Sequence, residues 1–186
     1  MRISKAQAKE NRDRVLAAAA KLFRERGFEE VAVGDVMKAA GFTHGGFYNH
    51  FPSKQALAAE ALDSAWTQMA DERARVGPLA DLLPRYLSKA ARNAPGQTCP
   101  AAALAGDVAR QPPEVKAVFA DGLEAMIASV QAGLPDGADR RARAVELVAR
   151  MVGALMLSRA VPDDRPLANE LLEVNLRSAL KAAGES

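Results

Sequence analysis

At 186 residues the chain is long enough to bury a real core in one or two domains. It is alanine-rich and poor in aromatics, and Val, Ile and Thr form no alternating runs, so helices are expected and strands are not. No apolar run approaches a membrane span, the N-terminus is charged rather than a signal peptide, and one cysteine excludes an intrachain disulfide framework. A cytoplasmic protein with no membrane partner is the expectation.

The net charge of +2 hides an asymmetry. Residues 1–54 carry ten Lys/Arg against six Asp/Glu, a balance of +4, and the remainder carries fifteen against seventeen, a balance of −2. A basic head on a slightly acidic body suits nucleic-acid binding by the head.

The first predicted helix spans 5–26, with Val15, Ala19, Leu22 and Phe23 at helical spacing and Gly27 ending it. The second covers 33–40 and the third 44–50; Gly41 between them occupies a turn where a positive φ is usually required. Ala32 stands where a capping Ser or Thr is preferred, a loss of about 1 kcal/mol. Ser53 caps a fourth helix that runs to Gly77-Pro78, roughly 35 Å at 1.5 Å per residue. Prolines and glycines then divide the body into helical segments at 79–93, 100–110, 113–133, 139–160 and 167–182, several opened by Pro at the first helical position.

Residues 28–57 therefore read as a helix-turn-helix followed directly by a further helix. Phe47 and Phe51, four apart, pack inward, and His44, Gly45, Tyr48 and Asn49 stay on the outer side, free to enter a DNA major groove. The run from Gly41 to Leu57, GFTHGGFYNHFPSKQAL, resembles the DNA-reading segment of TetR-family transcriptional regulators. Upstream, Ala19 to Phe23 and Arg26 to Phe28 are similar to that family's first helix and the bend after it. The resemblance covers about the first third of the chain. It implies an all-α fold with an N-terminal helix-turn-helix DNA-binding domain (1–54) and a C-terminal helical ligand-binding and dimerisation domain (55–186), joined by a linking helix at about 53–76. It also implies a homodimer on a pseudo-palindromic operator in double-stranded DNA, acting as a repressor released by a small-molecule effector.

Within the reading segment, His44 sits in the first turn of the recognition helix and is expected at a base edge or a phosphate. His50 bonds a phosphate or caps the helix end. Tyr48 and Lys54 are expected on phosphates, which carry no sequence information, and Thr43 combines helix capping with a phosphate bond. Gly45 and Gly46 each cost about 1 kcal/mol in a helix relative to alanine. They serve either close approach of backbone amides to DNA or leave a loosely formed first turn.

In the body, Trp66, Met69, Phe119, Met126, Met151 and Met156 are candidate pocket-lining residues, because Met and aromatic side chains make adaptable apolar cavities; ordinary core packing is the alternative for each. The last two helices carry broad apolar stripes that must be buried; the resemblance implies a two-fold seam holding Val148, Met151, Val152, Leu155, Leu171 and Val174, with a monomeric core as the alternative. Cys99 precedes a helix start, where a thiol is reactive if its pKa is lowered, or is a small buried hydrophobe.

An enzyme is not expected. Both histidines lie in the reading segment, the cysteine is alone, and no phosphate loop or dinucleotide fingerprint occurs. A zinc cage is excluded by ligand count, and no cofactor is called for. The remaining rivals are a helical module of the same fold that recruits a protein, and a regulator that responds to oxidants through Cys99.

Overall fold

The computed structural model describes residues 4–184, and among these every regular element is a helix. The head comprises α1 (Lys5–Glu30), α2 (Val33–Ala39) and a short 3-10 helix, η1 (His44–Asn49). Next come the long α3 (Lys54–Val76), α4 (Leu79–Tyr86), α5 (Lys89–Asn93), a 3-10 turn η2 (Pro95–Gln97), α6 (Pro100–Val108), α7 (Pro113–Gly133), α8 (Arg140–Ala160) and α9 (Pro166–Ala182).

Local chemistry sets the boundaries. Ser4 caps α1 by accepting from the Gln7 amide at 3.1 Å, and Ser53 caps α3 by accepting from the Ala56 amide at 3.0 Å. Gly27 breaks α1 with φ 81° and ψ 168°, a backbone that L side chains avoid, and the chain resumes one short turn to Glu30. At α2 the missing Ser/Thr cap is offset from the other side. The Asp35 carboxylate accepts from the Ala32 amide at 3.2 Å, which is half of a capping box.

The structure departs from the sequence reading in two elements. The expected helix at 79–93 is two helices, because Leu87 turns out of helical geometry and Ser88 starts afresh, its Oγ accepting from the Ala91 amide at 3.0 Å. The expected recognition helix at 44–50 is 3-10 in form, with the Gly46 amide bonded to the Thr43 carbonyl three residues back. Two adjacent glycines give the wider α-helical turn little support, and the tighter 3-10 turn suits so short a run.

A continuous core runs from head to body. In the head Val15, Phe23, Met37, Phe47, Phe51 and Leu57 are essentially inaccessible, and the rings of Phe47 and Phe51 stack at 5.8 Å. Burying one such ring contributes about 1.5–3 kcal/mol. The α3 helix belongs to both halves: it packs along α1 through Leu57, Ala58 and Leu62, and against α7 through Trp66, whose ring meets Phe119 edge-on at 5.8 Å. No helix of the described residues is long and apolar enough to cross a membrane.

Candidate nucleic-acid interface and body cavities

The reading segment is built on a rigid floor. Phe47 and Phe51 point inward, and Arg12 lies 4.6 Å over the Phe51 ring while also pairing with Glu60 on α3. Arg14 donates to the Ala40 carbonyl at 2.7 Å, closing the end of α2, and rests 4.8 Å over the Phe42 ring. Gly41 makes the turn between α2 and η1 with φ 81°.

On this floor Thr43, His44, Gly45, Tyr48 and Asn49 are exposed together. Tyr48 is 72% exposed, the most exposed of the large apolar side chains, although its ring edge still leans on Phe47 at 5.1 Å. No carboxylate occurs between Asp35 and Lys54, so the face is free of charge that would repel a phosphate. A methyl group at Gly45 would meet nothing within 4 Å, so nothing inside the chain demands glycine there.

Three expected head roles change or narrow. Thr43 does not cap: its side chain makes no capping bond to η1, because the 3-10 turn is closed by the Thr43 carbonyl instead. Lys54 reaches back to donate to the Glu29 carbonyl at 3.3 Å, so in this conformation its ammonium ties α3 to the end of α1. His50 is half-buried between the Phe42 and Phe51 rings, with both centroid separations at 6.4 Å.

The body holds two adjoining cavities. An outer one of about 670 Å³ runs between α3 and α7, lined by Trp66, Met69, Arg73, Gly122 and Met126 among others. The Trp66 ring lies so close on Gly122 that a Cβ there would stand 2.3 Å from it. An inner cavity of about 360 Å³ shares Met69, Arg73 and Met126 with the first, and extends to Tyr86, Thr98, Cys99, Met151 and Leu155. Of the six side chains expected to line a pocket, Trp66, Met69, Met126 and Met151 do so. Phe119 supports Trp66 from behind, and Met156 is 36% exposed on the outer face of α8, away from both cavities.

Cys99 is buried at the start of α6, its thiol 3.9 Å from the Met126 sulfur. Burial pushes the thiol up, only partly opposed by Tyr86, the amides of Ala101 and Ala102, and Arg159. That is the environment of an unreactive thiol.

The seam residues divide as well. Val148, Met151 and Leu155 are interior, because the inward face of α8 packs on α7 and α6. The outward face carries Val145, Val152, Met156 and Leu157, beside Leu167, Leu171 and Val174 on α9. Five of these are large apolar side chains at least 36% exposed: Val145, Met156, Leu157, Leu167 and Val174.

Two arginines, Arg24 (buried) and Arg159 (half-buried), were not singled out by sequence reasoning. Arg24 of α1 donates to the Thr98 carbonyl at 3.3 Å and to Gln68 on α3 at 3.4 Å. Arg159 of α8 donates to the Arg92, Ala102 and Ala91 carbonyls and, at 2.6 Å, to the Thr98 hydroxyl. Thr98 thus joins head to body. The available sequence signal was position: Arg24 falls four residues after Ala20 on the inward face of α1.

The head thus presents an exposed, acid-free helix-turn-helix face, and the all-helical body beside it holds the two cavities. Residues 15–61 match the family described as bacterial regulatory proteins, tetR family. The head is 45% identical over 58 residues to the uncharacterized HTH-type transcriptional regulator YdgC of Bacillus subtilis, a match covering 31% of this chain and 30% of that one. The chain spans less than a third of the length of the curated relatives it matches. Over nearly its whole length it shares the fold of two solved TetR-family regulators. The one from Agrobacterium tumefaciens has a TM-score of 0.76 at 20% identity, covering 93% of this chain and 97% of that one. The one from Cytophaga hutchinsonii has a TM-score of 0.77 at 16% identity, covering 98% of each.

Proposed function

We propose that this chain is a cytoplasmic repressor that binds a pseudo-palindromic operator as a homodimer and leaves it when a small molecule fills the body. Residues 1–54 form its DNA-binding domain and residues 55–186 its ligand-binding and dimerisation domain. The observation that carries the reading is the joint exposure of His44, Gly45, Tyr48 and Asn49 over the buried Phe47–Phe51 stack, with no carboxylate in the segment. His44 and Asn49 read base edges, while Tyr48 and Thr43 hold phosphates. Lys54 joins them by exchanging the Glu29 carbonyl for a phosphate oxygen, and His50 positions the end of η1. The two heads of a dimer occupy half-sites centred about 34 Å apart, one turn of DNA.

Release follows from two routes between cavity and head. Met69 and Arg73 line the cavities on the same helix that carries Leu57 in the head. Thr98 and Cys99 line the inner cavity in the segment that Arg24 clamps to α1. A ligand that fits better when these elements shift lowers DNA affinity by its differential affinity for the two states, and by no more. The buried, up-shifted thiol argues against an oxidant sensor at Cys99.

Selection of bound DNA from a random pool, followed by gel-shift titration at several salt concentrations, tests the reading. A palindromic consensus with affinity falling steeply as salt rises is expected. Failure to enrich any sequence, or salt-independent binding, would leave the protein-recruiting module as the better account.

A further inference from the structure

Three polar side chains lining the body cavities have no oxygen or nitrogen partner among the described residues, and all three are hydrogen-bond donors. The Tyr86 hydroxyl is buried beside the Cys99 thiol, with no oxygen or nitrogen acceptor among the described residues. The Trp66 indole N–H is likewise buried and unpaired in a residue only 6% exposed. Arg73 lines both cavities and makes no hydrogen bond or ion pair among the described residues. Its guanidinium is destabilised by burial with no neighbouring charge to offset it. Burial also raises Tyr86 well above the ordinary phenol range, so it remains a donor at any physiological pH. The acceptors nearby are committed or peripheral: the Thr98 hydroxyl already takes a bond from Arg159, and Asp63, Glu72 and Asp121 are exposed on the rims.

Buried donors left unpaired are costly, and a desolvated cation more so. We infer that the body's ligand is an apolar carboxylate, its anionic group on Arg73, its hydrophobic part among Met69, Met126 and Met151, and a second acceptor position at Tyr86. The inference rests on the ligand-responsive reading above and narrows it to one chemical class. A neutral isostere leaves Arg73 uncompensated, and an ammonium adds repulsion, so the site discriminates by charge.

Trp66 is the only tryptophan of the chain and lines the outer cavity, so its fluorescence reports binding directly. Titration of the DNA-free protein with 2-naphthoate should give saturable quenching at least about tenfold tighter than with 2-naphthamide or 2-naphthylmethylammonium, a charged hydrogen bond in a partly dry site supplying that margin. Arg73→Met should collapse the ratio toward one, Arg73→Lys should restore part of it, and circular dichroism establishes that both variants fold. Equal binding of the amide, a ratio unchanged in Arg73→Met, or no saturable quenching by any of the three probes overturns the inference. Anisotropy of a labelled operator separates this from the regulatory reading. Naphthoate that binds through Arg73 but leaves DNA bound upholds the ligand class and removes release. Release by the amide as readily as by naphthoate does the reverse.

Discussion

At the scale of single residues, Gly45 distinguishes two uses of the same backbone. Alanine fits there without contact inside the chain and favours the helix by about 1 kcal/mol. If the recognition turn approaches DNA through its backbone, Gly45→Ala should leave the melting temperature unchanged or higher while weakening operator binding at least about tenfold, the effect of about 1.4 kcal/mol. Equal affinity would assign the glycine to loose packing alone. The side chains beside it make a graded set. His44→Ala should relax preference at one half-site position by about 1–3 kcal/mol, whereas Tyr48→Phe should weaken all sequences alike, both read by competition gel shifts on operator variants. Cys99 carries a different expectation. Burial holds both its thiol and the Tyr86 phenol neutral at pH values where the unfolded chain ionises. Their contribution to stability is therefore full below the unfolded-state values and is lost as pH rises from the ordinary thiol and phenol ranges through the raised folded-state values. A thiol reagent at neutral pH should label Cys99 only after denaturation; rapid labelling of the folded chain would reopen the oxidant-sensing alternative.

Among elements, the contact of η2 with α1 links cavity to head. At Gly96 a Cβ would stand 2.6 Å from the Glu25 carboxylate and 2.9 Å from the Lys21 side chain, so any larger residue requires these side chains of α1 to move. Arg24 then holds the same segment through Thr98. Arg24→Met removes that clamp and leaves the Thr98 carbonyl without this donor, costing about 1–3 kcal/mol of stability. The expected signature is a reduced difference in operator affinity with and without ligand, larger than any change in apo affinity, measured by anisotropy; an unchanged difference would confine coupling to α3. The 3-10 form of η1 belongs to this scale too. The apolar spacing of Phe47 and Phe51 was legible as an inward face, and they do stack inward. The pitch of the turn was not legible, because it depends on how two glycines, the Thr43 carbonyl and the floor beneath settle together.

For the molecule as a whole, the outer face of α8 and α9 is the surface left without a covering in the single chain. Val174→Asp places a charge on that face and should turn a dimer into a folded monomer in sedimentation, with weaker operator binding. Met151→Asp buries the same charge in the subunit's own core and should unfold the chain, at a cost of several kcal/mol. Sedimentation of the unaltered protein as a monomer at micromolar concentration would remove the two-fold arrangement. The contrast between these two residues shows where helical periodicity stops being informative. Both lie on apolar stripes, and a stripe records that a face is buried without recording against what.

What the residues determined alone is local: helix boundaries follow from Ser4, Ser53, Gly27, Gly41 and the prolines, and the reading segment follows from its own order of aromatic, glycine and polar positions. These features act through bonds to neighbours a few residues away, so they are visible in a one-dimensional string. Only the tertiary structure decided which apolar face of α8 is core and which is open. It alone brought Arg24 and Arg159, 135 residues apart by number, onto the same Thr98, and gathered the unpaired donors of Tyr86, Trp66 and Arg73 around adjoining cavities. Those arrangements depend on contacts between segments remote in sequence, whose free energy is collective packing and desolvation and leaves no periodic mark on any one of them.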